Sequence, residues 1–179
     1  MAGSELLEHK PMPEGYCTCE FKGVTEERDA IEDMLREFGD DIPETEVEKA
    51  VECMDGWVAA CACEDLEKPV SAARYEHNDW YLYTIKNLMT DPEHARKGLG
   101  AWSANEASIN AMHDGAVVLA CDITHDNIPS KKCFEPLGFT PVGRFCWDKD
   151  EKPADIMHYI LYPPEGADSN VCPAPQREG

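Results

Sequence analysis

The chain of 179 residues is poor in basic side chains and has no long apolar run. Its 16 Lys and Arg stand against 36 Asp and Glu, so the net charge is −20 at pH 7. Binding to a long nucleic acid or to an anionic membrane surface requires clustered positive charge, and the composition disfavours both partners. No apolar stretch approaches the ~18 residues of a membrane-spanning helix, and the N-terminus lacks the basic flank and apolar core of a secretory signal. We therefore expect a cytoplasmic protein with a cationic partner.

Length and composition predict one globular domain. A chain of this size matches the usual ~100–200 residues of a single domain. Its 42% apolar and 29% charged residues are typical of a globular protein. We expect a flexible polar leader over residues 1–13, one domain over 14–163 and a flexible tail over 164–179, where proline and glycine accumulate.

Apolar patterning and turn residues predict the order of the secondary structure. Ile31, Met34, Leu35 and Phe38, for example, recur at helical spacing. Helices are predicted near 25–38, after Pro43, near 99–113 and after Pro129. Strands are predicted over 16–21, 57–63, 70–75, 80–90, 116–121, 139–147 and 155–162. The fold class is then α/β (α+β), with a single central mixed sheet flanked by about four helices.

Nine cysteines are many for this length, and an odd number cannot all pair within the chain. Without a secretory signal, reduced thiols are expected. Cys17 and Cys19, like Cys61 and Cys63, place two thiols on one face of a strand, so pairing of the two strands would bring four sulfurs together. Zinc sites use turns with longer spacings, and we predict buried free thiols and no metal.

The segment 91–101 joins a predicted strand to a predicted helix and combines two glycines with two cations. Gly98 and Gly100 permit close backbone approach, while Arg96, Lys97 and the free N–H groups of a helix N-terminus form an anion site suited to a pyrophosphate. The glycine spacing is neither that of a P-loop nor that of a full dinucleotide-binding fingerprint. Taken alone, the segment also fits a plain strand–helix turn.

A second segment, 127–139, begins 27 residues after Gly100. The two segments together resemble those of the GNAT superfamily of acyl-CoA-dependent N-acetyltransferases, in which a glycine loop after a strand precedes an Asn-x-x-Ala-x-x-Leu-Tyr-x-x-x-Gly-Phe motif. Gly98 and Gly100 match the loop. The residues that match the second motif are Asn127, Ser130, Phe134, Gly138 and Phe139. The element order over 16–162 matches as well, so the resemblance covers most of the chain and implies a GNAT-like fold.

The resemblance implies that acetyl-CoA is the co-substrate. The end of the fourth strand, Leu88, Met89 and Thr90, would pair with the pantetheine arm of CoA. The amides of the glycine loop would hold the pyrophosphate, and the segment after the fifth strand would add contacts near the arm. The residues implied for these later contacts are Arg96, Lys97, Gly98, Leu99, Gly100, Ala101, Asn127, Ser130 and Phe134.

The sequence departs from the family pattern at the positions of the usual acid and base. Phe134 replaces the tyrosine that protonates the departing thiolate, and the stretch 83–87 lacks the glutamate of the fourth strand. Ala95 replaces the Gln or Arg that opens the glycine loop, although Arg96 stands beside it. The family resemblance therefore assigns neither a general acid nor a general base.

Other residues are candidates for the proton transfers. Asp122, His125 and Glu76 are candidate bases, and His125 has the ordinary pKa best suited to the task. Burial of Asp122 beside the apolar run would raise its pKa. Tyr83 and Tyr81 alternate along a predicted strand and are expected to line the acceptor pocket or to supply a hydroxyl acid.

The acidic charge is concentrated in the first part of the chain. Residues 1–68 carry 20 acidic and 6 basic side chains, a net charge of −14, against −6 for residues 69–179. The resemblance places that first part beside the acceptor. We therefore expect acetyl transfer to a primary amine of a small cationic molecule or of a peptide or protein, by direct attack in a ternary complex and with electrostatic steering. The other interpretation of these carboxylates is a solvated helix face.

Two alternative functions stay open at this point. One is a non-catalytic acyl-CoA-binding module or sensor, because the usual tyrosine and glutamate are missing. The other is a GNAT-like enzyme that modifies a nucleobase or uses another acyl donor. Dimers are common in the family, which makes a homodimer an expectation without a specified interface.

Overall fold

The computed structural model describes residues 7–20, 24–38, 42, 44–52, 54, 56–149 and 152–162. The strands are β1 (Tyr16–Thr18), β2 (Trp57–Ala62), β3 (Pro69–Asp79), β4 (Leu82–Thr90), β5 (Val118–Thr124), β6 (Thr140–Lys149) and β7 (Lys152–Leu161). The α-helices are α1 (Val24–Phe38), α2 (Glu44–Glu52), α3 (Leu99–His113) and α4 (Ile128–Phe134). Single 3₁₀ turns occupy Pro92–His94 and Glu135–Leu137.

The seven described strands form one mixed sheet in the order β1-β2-β3-β4-β5-β7-β6. The pair β4–β5 is parallel, and the other pairs are antiparallel. The predicted fold class, a single mixed sheet flanked by four helices among the described residues, is confirmed. Within that part of the chain, no helix combines the length and the apolar character required to cross a bilayer.

Helices cover the sheet on both faces. On the α1 face, Ile31, Met34 and Leu35 are buried against α2 and against Ala72 and Met89 of the sheet. On the opposite α3 face, a larger cluster joins α3 and α4 to the alternate residues of β2 to β5 and β7. The helical spacing of the α1 residues therefore identifies the side of that helix that packs on the sheet.

Two strand boundaries differ from the predicted ones. The strand predicted over 70–75 continues to Asp79, and Trp80 turns the chain with a positive φ of 52° and 82% exposure. The predicted strand 80–90 therefore begins at Leu82. The residues after Tyr75 are polar and lack the apolar alternation that predicts a strand. They still pair in the hairpin, as His77 does with Tyr83. Strand β5 covers Val118–Thr124 instead of 116–121, which brings Asp122 into the sheet.

The described part of the predicted leader lies along α3. Leu7 and Met12 pack against the core on the α3 face. The Asn105 side chain donates a hydrogen bond to the backbone oxygen of Glu8 at 2.9 Å. These contacts explain why α3 is buried on almost every side. Residues 1–6 and the predicted tail 164–179 lie outside the described residues.

The prediction that the cysteines stay free is wrong for Cys17 and Cys63, which form a disulfide. The antiparallel pairing of β1 with β2 sets Cys17 opposite Cys61 and leaves the Cα atoms of Cys17 and Cys63 5.5 Å apart, within the range that a disulfide spans. Cys19 and Cys61 are free. No group of three His, Cys, Asp or Glu side chains among the described residues has the arrangement of a metal site.

Candidate active site

The sheet has a gap between β4 and β5. Hydrogen-bonded pairing of these parallel strands runs from Leu82 and Val118 to Thr84 and Ala120 and stops there. Beyond these residues, β4 and β5 no longer pair with each other, although β4 continues to Thr90 and β5 to Thr124. Unpaired strand edges carry free backbone donors and acceptors, so the gap suits an extended ligand that hydrogen-bonds like a strand.

A β-bulge shapes the β4 side of the gap. Ala72 pairs with Met89 and Arg74 pairs with Lys86, so two residues of β4, Asn87 and Leu88, oppose one residue of β3. Asn87 has a positive φ of 50°. A bulge leaves backbone groups outside the ladder and bends the strand, which here happens at the start of the predicted pantetheine contacts.

The N-terminus of α3 lies next to the end of β4. Gly98 precedes the helix with a left-handed φ of +88°, and within the described part of the chain the amides of Leu99, Gly100 and Ala101 have no side-chain cap. A Cβ on Gly100 would lie 3.2 Å from Thr90 Oγ1 and 3.4 Å from Cys133 Sγ, so a side chain at this position would push these atoms back by a few tenths of an ångström. Free amides and the helix dipole form an anion site here.

Hydrogen bonds hold the glycine loop against the N-terminal strand. The Tyr16 hydroxyl pairs with His94 Nδ1 at 2.8 Å and accepts from Lys97 Nζ at 2.9 Å. The Lys97 ammonium also lies 5.6 Å from the centre of the Tyr16 ring. Arg96, the second predicted cation, is exposed and has a positive φ of 62°. The loop therefore presents two positive side chains beside the uncapped helix.

A buried hydroxyl cluster fixes the last residues of β4 to the neighbouring elements. Ser71 Oγ donates to the backbone oxygen of Met89 at 3.0 Å and lies 3.0 Å from both Thr90 Oγ1 and Ser103 Oγ. One hydroxyl thus links β3, β4 and α3 directly behind the glycine loop. Leu88 packs into the core on the α3 face.

The second predicted motif has structural roles at both ends of α4. Asn127 caps this helix, and its Oδ1 accepts a hydrogen bond from the Ser130 amide at 3.0 Å. Phe134 is only 3% exposed and meets Phe139 edge-on, with ring centres 5.2 Å apart. Phe134 is therefore a core residue at the position where the family has its tyrosine.

A cavity of about 930 Å³ lies across β3, β4 and β5, beside α2. Its wall includes Asn87 of the bulge and Asp122 of β5, which flank the gap. The cavity is strongly charged for its size. Its carboxylates are Glu46, Glu52, Glu76, Asp114 and Asp122, and its cations are Lys49, Arg74 and Lys86.

Asp122 forms a pair with His158, a residue that the sequence analysis did not select. His158 Nδ1 lies 2.6 Å from Asp122 Oδ1 because β5 and β7 pair these residues directly, with both side chains on the α1 face. An ionised carboxylate only accepts, so His158 Nδ1 is the donor, and in the neutral imidazole Nε2 keeps its lone pair. The Asp122 side chain is 41% exposed, so this carboxylate is not buried beside the apolar run.

The other candidate acid and bases occupy less favourable positions. His125 is exposed in the turn before α4, and its backbone amide donates to the backbone oxygen of Asp155 at 2.7 Å. The Tyr83 hydroxyl lines the cavity but donates to the Asp114 backbone oxygen at 3.0 Å, at the paired end of β4. Burial, together with Asp114, raises the pKa of Tyr83, so its phenol stays protonated. Tyr81 lies in the β3–β4 turn.

Glu76 is an ionised partner of cations. Lys86 Nζ donates to Glu76 Oε2 at 2.8 Å, and Arg74 Nη1 lies 3.8 Å from the same oxygen. The hydrogen bond from Lys86 is the main cause that lowers the pKa of Glu76, against the effect of burial. A carboxylate whose pKa is lowered is a weak proton acceptor, so Glu76 is a poor candidate base.

Residues 27–139 match the model of the acetyltransferase (GNAT) family. No curated protein matches the chain in sequence. The chain is similar in fold to the ribosomal-protein-S18-alanine N-acetyltransferase of Escherichia coli, with 16% identity, a TM-score of 0.64 and coverage of 88% of this chain and 97% of that one.

Two further solved structures have the same fold. The structure of yncA from Salmonella typhimurium with its cofactor acetyl-CoA has 15% identity and a TM-score of 0.64, and covers 89% of this chain and 100% of that chain. NAA60 of Arabidopsis thaliana, solved with a bisubstrate analogue, has 13% identity and a TM-score of 0.61, and covers 82% and 97%.

Proposed function

Because the chain belongs to the GNAT family of acetyltransferases, we propose that it transfers an acetyl group from acetyl-CoA to a primary amine of a small cationic molecule or of a peptide or protein. The amine attacks directly in a ternary complex. The observation that carries this proposal is the gap between β4 and β5. It lies between the uncapped N-terminus of α3 and the charged cavity on the α1 face.

The residues at the gap fit the chemistry of CoA. The backbone of Leu88–Thr90 offers strand-like hydrogen bonds to the pantetheine amides, and the amides of Leu99–Ala101 face the pyrophosphate. Arg96 and Lys97 add positive charge beside these amides. Neither Gly98 nor Gly100 places a Cβ at this helix end, which favours close approach of phosphate oxygens to the backbone.

His158 is the proposed general base, and Asp122 is its positioning residue. Asp122 holds the Nδ1–H tautomer, so Nε2 accepts the proton that the amine loses as its nitrogen bonds to the thioester carbon. The carbon–sulfur bond breaks, and its electron pair leaves with the CoA sulfur. A thiol has an ordinary pKa near 8.5, so the thiolate departs without an acid at Phe134.

The test separates binding from turnover. Purified protein is titrated with CoA by calorimetry and then incubated with acetyl-CoA and monoamines, polyamines, aminoglycosides or Lys-rich peptides. Acetylated product is measured by mass spectrometry, because the exposed free thiol of Cys146 would react with a thiol-detecting dye. We expect saturable CoA binding and product from at least one amine class. Binding without product would identify a non-catalytic acyl-CoA module, and absence of binding would refute the gap as a CoA site.

A further inference from the structure

A buried arginine lies in the wall of the cavity. The Arg74 side chain is 7% exposed, and it projects from β3 on the α1 face, the same face as Asp122 and His158. Its Nε has no hydrogen-bond partner among the described residues. Its ion pair with Glu76 is 3.8 Å long, which is beyond hydrogen-bonding distance. A guanidinium has five N–H donors, so this group has donors to spare.

Arg74 shares its carboxylate partner with a lysine. Lys86 and Arg74 approach the same Oε2 atom of Glu76, and Lys86 is the closer of the two at 2.8 Å. On α2, Lys49 pairs with Glu46 at 3.5 Å. The cavity wall as a whole carries five carboxylates and three cations, so the incomplete pairing is local to Arg74, whose guanidinium has no carboxylate within hydrogen-bonding distance among the described residues.

A buried and incompletely paired charge is costly, so an anion that completed the pairing would be bound strongly. The planar fork of arginine matches a carboxylate through two parallel hydrogen bonds. Because Glu52, Asp114 and Asp122 line the same cavity, repulsion is smaller for a singly charged carboxylate than for a phosphate group, which carries about −1.5 to −2.

We propose that the acceptor is an amine that also carries a carboxylate, with the carboxylate bound by Arg74 and the amine presented to His158. This inference rests on the proposed acyl transfer and adds a carboxylate to the primary amine of its acceptor. β3 and β7 are separated by β4 and β5, so the backbones of Arg74 and His158 lie three strand spacings apart, about 14 Å, before the width of the gap is added. Both side chains project on the α1 face, and the cavity that Arg74 lines extends to Asp122, the partner of His158, so the span from Arg74 to Asp122 lies within one cavity.

The test compares acceptors that differ only in the carboxylate. ω-Amino acids with one to five methylene groups are assayed with acetyl-CoA against the corresponding ω-amino amides. For at least one chain length we expect kcat/KM to be about 10- to 100-fold higher for the acid, as hydrogen bonds to a charged group predict. Equal rates for acid and amide at every length, together with equal rates for otherwise identical Glu and Gln peptides, would overturn the inference.

Variants identify the residue responsible. In Arg74→Met the ratio of kcat/KM for the acid to kcat/KM for the amide should fall to about one, and Arg74→Lys should keep part of the advantage of the acid. The matched control is Arg28→Met, which removes an exposed arginine of α1 outside the cavity wall and should keep the full preference. Calorimetric CoA binding shows that each variant is folded. An equal loss for acid and amide in Arg74→Met would contradict the assignment.

A peptide arm distinguishes the source of the carboxylate. Short peptides with a free N-terminus and Glu at the second position are compared with their Gln counterparts. A preference among the free ω-amino acids assigns a small amino acid, and a preference only for the Glu peptide assigns an acidic peptide. Polyamines that outperform every acid would overturn the inference and leave acyl transfer intact. Absence of product from any amine, despite CoA binding, would instead refute the proposed function.

Discussion

Two glycines at opposite ends of α3 allow a controlled test of the CoA site. Gly98 precedes the helix with φ +88°, and Gly115 follows it with φ +101°. A Cβ at Gly98 would meet only Pro13, at 3.8 Å, and one at Gly115 would meet nothing within 4 Å. Glutamate at either position therefore costs about 1–2 kcal/mol of backbone strain, without a serious clash.

The two substitutions should differ in their effect on CoA. A glutamate at Gly98 puts a carboxylate among the free amides of the helix N-terminus, where it competes with the pyrophosphate. Two phosphate charges about 5 Å from that carboxylate repel it by roughly 1.7 kcal/mol even at the dielectric constant of water. This energy corresponds to about 20-fold weaker binding. Gly115→Glu has the same strain and no phosphate nearby, so it should bind CoA like the wild type.

Calorimetric titration with CoA measures the difference. Gly98→Gln has nearly the same size as Gly98→Glu without the charge, and it should bind CoA more tightly than the glutamate variant. Higher ionic strength should narrow that difference, since screening weakens the repulsion. If Gly98→Glu and Gly115→Glu bind CoA equally well, the pyrophosphate does not lie on this helix end, and the assignment of the glycine loop is wrong.

Three further predictions concern the base, the disulfide and the acidic surface. His158→Gln should lower kcat by about 10²- to 10⁴-fold in product assays and leave the affinity for CoA unchanged. Asp122→Asn should lower kcat by a smaller factor. An unchanged kcat in His158→Gln would exclude His158 as the base. Cys17→Ser should lower the free energy of unfolding by roughly 4 kcal/mol in urea titrations, from the 46-residue separation that the disulfide closes. Equal stability of this variant and the oxidised wild type would contradict that. The rate with a cationic acceptor should fall as salt rises, whereas a salt-independent rate would argue against steering by the acidic N-terminal part.

Features that depend on neighbouring residues in the chain could be predicted from the sequence. The bounds predicted for α3, 99–113, agree with the structure, because glycines border the helix at both ends. The glycine loop and the Asn127 cap are likewise local, and each is marked by residue types that a helix end requires. These local signals carried the family resemblance, which the family match confirms.

Features that depend on strand pairing could not be predicted from the sequence. Asp122 and His158 are 36 residues apart, and their contact follows from the register of β5 and β7. The disulfide of Cys17 and Cys63 likewise follows from the pairing of β1 with β2. The sequence predicts a strand around Arg74, but it does not indicate that the Arg74 side chain is buried. Alternation assigns a side chain to a face of the sheet, but the partner on that face comes from another part of the chain.

The net charge of the whole chain therefore does not predict the local charge at either end of the gap. Only 16 of 179 residues are Lys or Arg, yet Arg96 and Lys97 flank the helix end proposed for the pyrophosphate, while Arg74 and Lys86 line the opposite cavity. Interactions between exposed charges fade over the screening length of about 8–10 Å, so binding at each end depends on the nearby cations more than on distant carboxylates. We expect the distant carboxylates to change the rate at which a charged substrate approaches. We expect the cations in the cavity to determine whether a substrate with a carboxylate is preferred. The salt dependence of the rate and the acid-to-amide preference should accordingly vary independently: Arg74→Met should abolish the preference and leave the salt dependence with a simple cationic amine unchanged.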